Sequence, residues 1–195
     1  MSWVENVLIV AGISLDLFAN MECQGSLVAK VNKKHLTLIC LIVGMWQLAA
    51  LFIGYFFANL LLTKQKITDD FFVGELIAII IFLGLGCRLI VKAIKNERIQ
   101  EHLETKLGYK RFVQMASLTS MYTVLAGIAF AFFGTDMFMV LIMILGFSII
   151  FVVSGMYVGY HYGFEGKGKA YAVGTILLWA AGVDLIVRMV LQYAK

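Results

Sequence analysis

Proline is absent from this chain, and charge is scarce: 14% of its 195 residues are Asp, Glu, Lys or Arg. Without proline, any break inside a helix has to come from glycine. A soluble domain is about half apolar and about a quarter charged. Here 62% of residues are hydrophobic and the mean hydropathy is +0.91, which excludes an ordinary soluble globule and places the chain in lipid. Cysteine is also sparse. Cys23, Cys40 and Cys87 are too few and too scattered for a disulfide framework or a CxxC site, and they read as buried thiols. No phosphate-binding glycine loop, HExxH motif, or serine or cysteine triad occurs, so nothing supports an enzyme.

What the chain has instead is long apolar runs. Six of them, at roughly 4–21, 36–62, 71–94, 112–133, 137–160 and 170–193, approach or exceed the roughly 20 residues that a membrane helix needs. The first lacks a basic leader and a small-residue cleavage site, so it reads as a retained helix rather than a signal peptide. The connections are short. The expected architecture is a single all-α integral membrane domain, 1–195, with a polar linker at about 95–111 between residues 1–95 and 112–195. His102, in that linker, reads as solvent-exposed and inert.

The basic residues sort by side. Lys30, Lys33, Lys34, Lys95, Arg98, Lys106, Lys110, Arg111, Lys167 and Lys169 follow the odd-numbered helices. Only Lys64, Lys66 and Lys195 lie opposite, the first two offset by Asp69 and Asp70. The positive-inside rule places the first set in the cytoplasm and both termini outside a cell membrane. These loops carry no interleaved aromatic residues of the kind that stack on bases, so no nucleic-acid partner is expected. The expected surroundings are the lipid bilayer, with room for a homodimer or another membrane-protein partner.

The two halves echo each other in order. Ser14-Leu-Asp16 parallels Ser120-Met-Tyr122, Ile53-Gly54-Tyr55 parallels Val158-Gly159-Tyr160, and Gly86-Cys-Arg88-Leu-Ile-Val-Lys92 parallels Gly182-Val-Asp184-Leu-Ile-Val-Arg188. With three helices in each half, the second enters the membrane from the opposite side, so the expected fold is two inverted three-helix repeats. In such folds the site lies at mid-depth between the repeats.

Asp16 is the leading site candidate. It stands in the middle of the first apolar run, where a charge costs at least about 2.5 kcal/mol and therefore usually serves function. Asn20 lies four residues on, on the same helical face. Helix 2 contributes Gln47, and helix 4 contributes Ser117, Thr119, Ser120 and Tyr122. One carboxylate among neutral oxygens suits a hard or borderline cation or a proton relay. The competing structural reading has Asp16 neutral, or paired with a lysine, holding helices together. Arg88 and Asp184 occupy equivalent places in the repeats and are a candidate salt bridge; the alternative is that Arg88 snorkels to the interface. Met21, Met45 and Met121 lie near the site, where core filling is a sufficient role.

Several of these motifs resemble the MntP-type manganese efflux pumps of the LysE transporter superfamily. The resemblance runs through Gly12-Ile-Ser-Leu-Asp16-Leu-Phe-Ala19, Gly44-Met-Trp-Gln47, Phe82-Leu-Gly84-Leu-Gly86-Cys-Arg88, Ala116-Ser-Leu-Thr119-Ser120-Met-Tyr122, Ser154-Gly155-Met156 and Gly182-Val183. It implies a six-helix inverted-repeat cation exporter that needs no cofactor, with manganese or a similar divalent ion as substrate and Asp16 as its metal ligand. The family pattern repeats the aspartate where this chain has Tyr122, and has a glutamate where it has Gln47. Asn20, Gln47, Thr119, Ser120 and Tyr122 would then supply oxygens without charge. Two roles follow: a divergent cation exporter, or a transport-inactive member serving as a membrane subunit or scaffold.

Overall fold

The computed structural model describes residues 3–27, 33–64, 71–95, 109–163 and 165–193. They form six helices: α1 (Trp3–Ser26), α2 (Lys33–Lys64), α3 (Phe71–Lys95), α4 (Tyr109–Phe132), α5 (Met137–Tyr162) and α6 (Lys167–Tyr193). All six are long and apolar enough to cross a membrane, as the hydropathy pattern requires. Several run past the apolar stretch that announces them. α1 continues from residue 21 to Ser26 because Glu22, Cys23 and Gly25 are buried in the bundle rather than released into a loop. α4 begins at Tyr109, which takes Lys110 and Arg111 out of the expected linker and into the helix. His102 lies outside the described residues.

α1 and α4 form the centre. Over their most apolar windows they are 61% and 56% buried, against 22–44% for the other four helices. α1 packs mainly on α5 and α6, and α4 on α2 and α3; α3–α6 and α2–α5 contacts complete the bundle. The outer helices turn large apolar side chains outward, among them Phe52, Phe56 and Phe57 on α2 and Phe138, Ile142 and Ile150 on α5. In water such a belt would be an aggregation surface; facing lipid tails it needs no cover. Inside, Phe82 of α3 meets Phe130 of α4 edge to face, with ring centroids 5.7 Å apart.

Helices in lipid gain nothing from hydrophobic burial against each other, so close van der Waals approach has to hold them. Two crossings achieve it with glycine. A Cβ placed on Gly54 of α2 would strike the Val124 carbonyl of α4, and one on Gly159 of α5 would strike the Glu22 carbonyl of α1. Each partner helix returns a glycine at the same crossing, Gly127 against the Leu51 carbonyl and Gly25 against that of Met156. Backbone thus lies on backbone at α2–α4 and at α1–α5. The same is not true of Gly44, around which there is open space.

That contrast is testable. Gly54→Ala forces α2 and α4 apart and lowers stability by about 1–3 kcal/mol, the usual range for overpacking. Gly44→Ala, with nothing for its Cβ to meet, stays close to the parent. Thermal unfolding of both variants in the same detergent measures the difference.

Candidate functional site

Asp16 and Tyr122 both stand fourteenth in helices of 24 residues, the two central helices. Ten residues separate Asp16 from the end of α1, about 15 Å at helical rise, so it lies near mid-depth. Its side chain is buried to 3% exposure, and its Oδ1 accepts from the Lys92 ammonium of α3 at 2.7 Å. Lys92 sits only three residues from the end of α3. Helical side chains lean toward their own N-terminus, so a lysine near this C-terminus reaches back toward mid-membrane. Asn20, one turn beyond Asp16, donates to the Asp16 backbone carbonyl at 2.7 Å and lies 3.4 Å from Oδ1. The second carboxylate oxygen, Oδ2, is buried without a hydrogen-bond partner among the described residues.

Two tyrosines frame the pair. The Lys92 ammonium lies 4.7 Å from the Tyr122 ring centroid and 5.6 Å from that of Tyr171 on α6. The Arg88 guanidinium lies 4.4 Å from the same Tyr122 centroid. All three contacts are cation–π geometry, which helps a cation tolerate a dry setting. Tyr171 donates its phenol to Asn20 Oδ1 at 3.5 Å, a long contact. A cavity of about 400 Å³ opens beside this cluster, bounded by Asn20, Arg88, Lys92, Thr119, Tyr122 and Tyr171 among others. It lies toward the side where α1 and α3 end and α4 and α6 begin.

Not every site candidate converges here. Gln47 is bonded to the Thr123 hydroxyl, and these two line a separate small space with Ser14, Thr119 and Ser148. Ser120 accepts from the Trp46 indole at 3.2 Å. Asn20, Thr119 and Tyr122 therefore line one cavity, with Asp16 joined to it through Lys92 and Asn20, while Gln47 and Ser120 lie where α2 meets α4. Thr119 lines both spaces.

Comparison with known proteins now bears on this arrangement. The family model described as "Mntp: Putative manganese efflux pump" matches residues 30–186. The chain belongs to this family. A Bacteroides thetaiotaomicron protein named "Putative manganese efflux pump MntP" is 28% identical over 194 residues, covering 96% of this chain and 97% of its own. Proteins of the same name from Campylobacter jejuni strain 81-176 and Methanosarcina acetivorans are 24% and 22% identical, each over 191 residues. They cover 96% and 98% of this chain and 97% and 99% of their own. No solved structure matches. By its description the family is one of membrane transporters rather than enzymes.

Within this family member the charges are arranged unlike the expectation from sequence. Arg88 and Asp184 do not pair. α3 and α6 run antiparallel, and each residue lies two-thirds of the way along its helix, so they end up in opposite halves of the membrane. Arg88 rests on Tyr122 instead, and Asp184 lies 3.4 Å from Arg188 one turn on. Arg188 also forms an ion pair with the buried Glu5 of α1, Nε to Oε1 at 2.8 Å. Glu22, fully buried near the other end of α1, accepts the Gly166 N–H at 2.8 Å and so caps the start of α6. Glu5 and Glu22 carry no distinctive motif, and Lys92 enters only as the last residue of the Gly86–Lys92 echo. Their one signal is a charge within reach of an apolar run. Among the described residues, no three His, Cys, Asp or Glu side chains come together as a metal cluster.

A buried ion pair that loses one member is costly. Lys92→Met leaves Asp16 charged and unanswered and lowers stability by about 3–5 kcal/mol. Asp16→Asn loses less, because Lys92, 29% exposed, can turn into the cavity. The double variant recovers most of the Lys92→Met loss. Unfolding midpoints of the four proteins measure this coupling; additive losses would show the pair to be independent.

Proposed function

We propose that this protein exports a cation, a manganese-like divalent metal ion, and that Asp16 is the carboxylate the ion meets near mid-membrane. The observation that carries this reading is the Asp16 carboxylate itself: buried beside the cavity, with Oδ1 held by a lysine and Oδ2 without a partner. Family membership supplies the metal. The Lys92 ammonium is the resident cation of the substrate-free state. A metal ion and an ammonium cannot share one carboxylate in a dry site, since like charges about 4 Å apart repel by several kcal/mol there. Entry of the ion thus displaces Lys92 toward the cavity, where the faces of Tyr122 and Tyr171 receive it. Asn20, Thr119 and Tyr122 offer neutral oxygens to the ion. Gln47 and Ser120 come into play where the path passes Thr119 toward α2.

Alternating access is read from the helix pairing. Exchanging α1 with α4, α2 with α5 and α3 with α6 turns the α1–α5 crossing into the α4–α2 crossing, both closed by glycine. Asp16 and Tyr122 hold the same place in their helices. Both features favour two inverted repeats that rock about the site. The ten-to-three distribution of basic residues favours a cell-membrane setting with both termini outside, so the cavity opens to the cytoplasm.

One observation favours a second reading. The Asp16 charge is already answered, and Arg88 stands beside it, which suits a transport-inactive membrane subunit or scaffold whose partner is a second copy or another membrane protein. Metal tolerance separates the two. For an exporter, Asp16→Asn lowers manganese efflux by about tenfold or more, as expected for losing a charge-assisted contact of at least 1.4 kcal/mol, while membrane levels hold. Gln47→Glu with Tyr122→Asp restores negative charge and strengthens metal binding. Unchanged tolerance in both variants, with a stoichiometric partner in mild detergent, would establish the scaffold.

A further inference from the structure

We infer that the cavity beside Asp16 is a binding site for an oxyanion, a carboxylate or phosphate group carried by a small molecule or a lipid headgroup. The charge on its walls points there. Arg88, Lys92 and Lys167 line it, and among the described residues no Asp or Glu does. Two acids lie behind the wall, each engaged through one oxygen: Asp16 Oδ1 with Lys92, and Glu22 Oε1 with the Gly166 N–H. Three cations therefore face two carboxylates in a membrane-embedded space of about 400 Å³. Arg88 forms no salt bridge among the described residues.

The placement of Arg88 suits a ligand. Its guanidinium carbon lies 4.4 Å from the Tyr122 ring centroid, and its N–H donors make no hydrogen bond or salt bridge among the described residues. Those donors form the planar fork that matches a carboxylate or phosphate with two parallel hydrogen bonds. Lys92 lies against the same ring, and the two centroid distances put the charges at most about 9 Å apart. Two cations that close in a low-dielectric setting repel, and an oxyanion between them turns that repulsion into attraction. Val91, Met115 and Leu118 form an apolar wall on the same cavity, suited to the carbon body or acyl chain that carries the anionic group. The inference stands apart from the cation reading, because it holds whether Asp16 meets a metal or only braces Lys92. Where both hold they are linked, since an oxyanion competes with Asp16 for the Lys92 ammonium.

Purified full-length protein in phosphatidylcholine nanodiscs tests this by its unfolding midpoint. It is titrated with sodium phosphate and with sodium succinate at ionic strength matched by sodium chloride. A parallel arm uses phosphatidylglycerol nanodiscs and native mass spectrometry to read retained lipid. A saturable rise with phosphate or succinate identifies a small-molecule ligand; retained phosphatidylglycerol without that rise identifies a headgroup. Either response should weaken about tenfold or more in Arg88→Gln, the loss expected for one bidentate charged contact, and less in Arg88→Lys. Lys167→Gln gives the same reading if Arg88→Gln does not fold. No saturable response to any of the three probes would overturn the inference. So would a response unchanged in every variant that folds.

Discussion

The Asp16–Lys92 ion pair is the constraint around which the rest of the molecule is organised. A lone carboxylate at mid-membrane is costly, and here it is met by a lysine brought from the end of the neighbouring α3. The pair fixes α1 relative to α3, two helices that otherwise touch little. It also explains why Tyr122 and Tyr171 gather at this point, since their faces stabilise the ammonium as it enters dry surroundings.

The same logic extends along α1. This helix carries three buried acids, Glu5, Asp16 and Glu22, spaced from one side of the bundle to the other. Each is answered from a different place: Arg188 on α6, Lys92 on α3, and the backbone N–H ahead of α6. α1 therefore carries the buried acids of the bundle, and the cations that answer them come from α3 and α6. Its position against α5 is secured by backbone contact at Gly25 and Gly159, which leaves polar chemistry free to face α3 and α6. Structure and function divide cleanly: glycine sets the distance between helices, and charge sets what happens in the space between them.

Much of this was legible in the sequence, for identifiable reasons. Apolar length alone defines six helices, because in lipid every backbone polar group has to be satisfied within its own helix. Asp16 stands out because nothing apolar explains an acid there. What the sequence leaves open is direction around the helix axis. Gln47 and Asp16 share the hydrophobic interior yet face different sides, because spacing reports depth and face but not which neighbour that face meets. Lys92 and Glu22 look like span-edge charges of the kind that settle topology, and only side-chain lean and helix extension bring them inside. The equivalence of Arg88 and Asp184 suggested a pair, whereas antiparallel α3 and α6 hold the two apart.

The central claim is that Lys92 holds the carboxylate that a transported metal ion must reach. Electron paramagnetic resonance of manganese titrated into the purified protein tests it directly, because the free ion gives a signal that binding removes. Lys92→Met, which takes away the resident cation, is predicted to bind manganese at least about tenfold more tightly than the parent, a difference of about 1.4 kcal/mol. Adding Asp16→Asn to that variant should abolish the gain. Manganese binding that is equal in the parent and Lys92→Met, or that persists without the Asp16 carboxylate, would contradict the account.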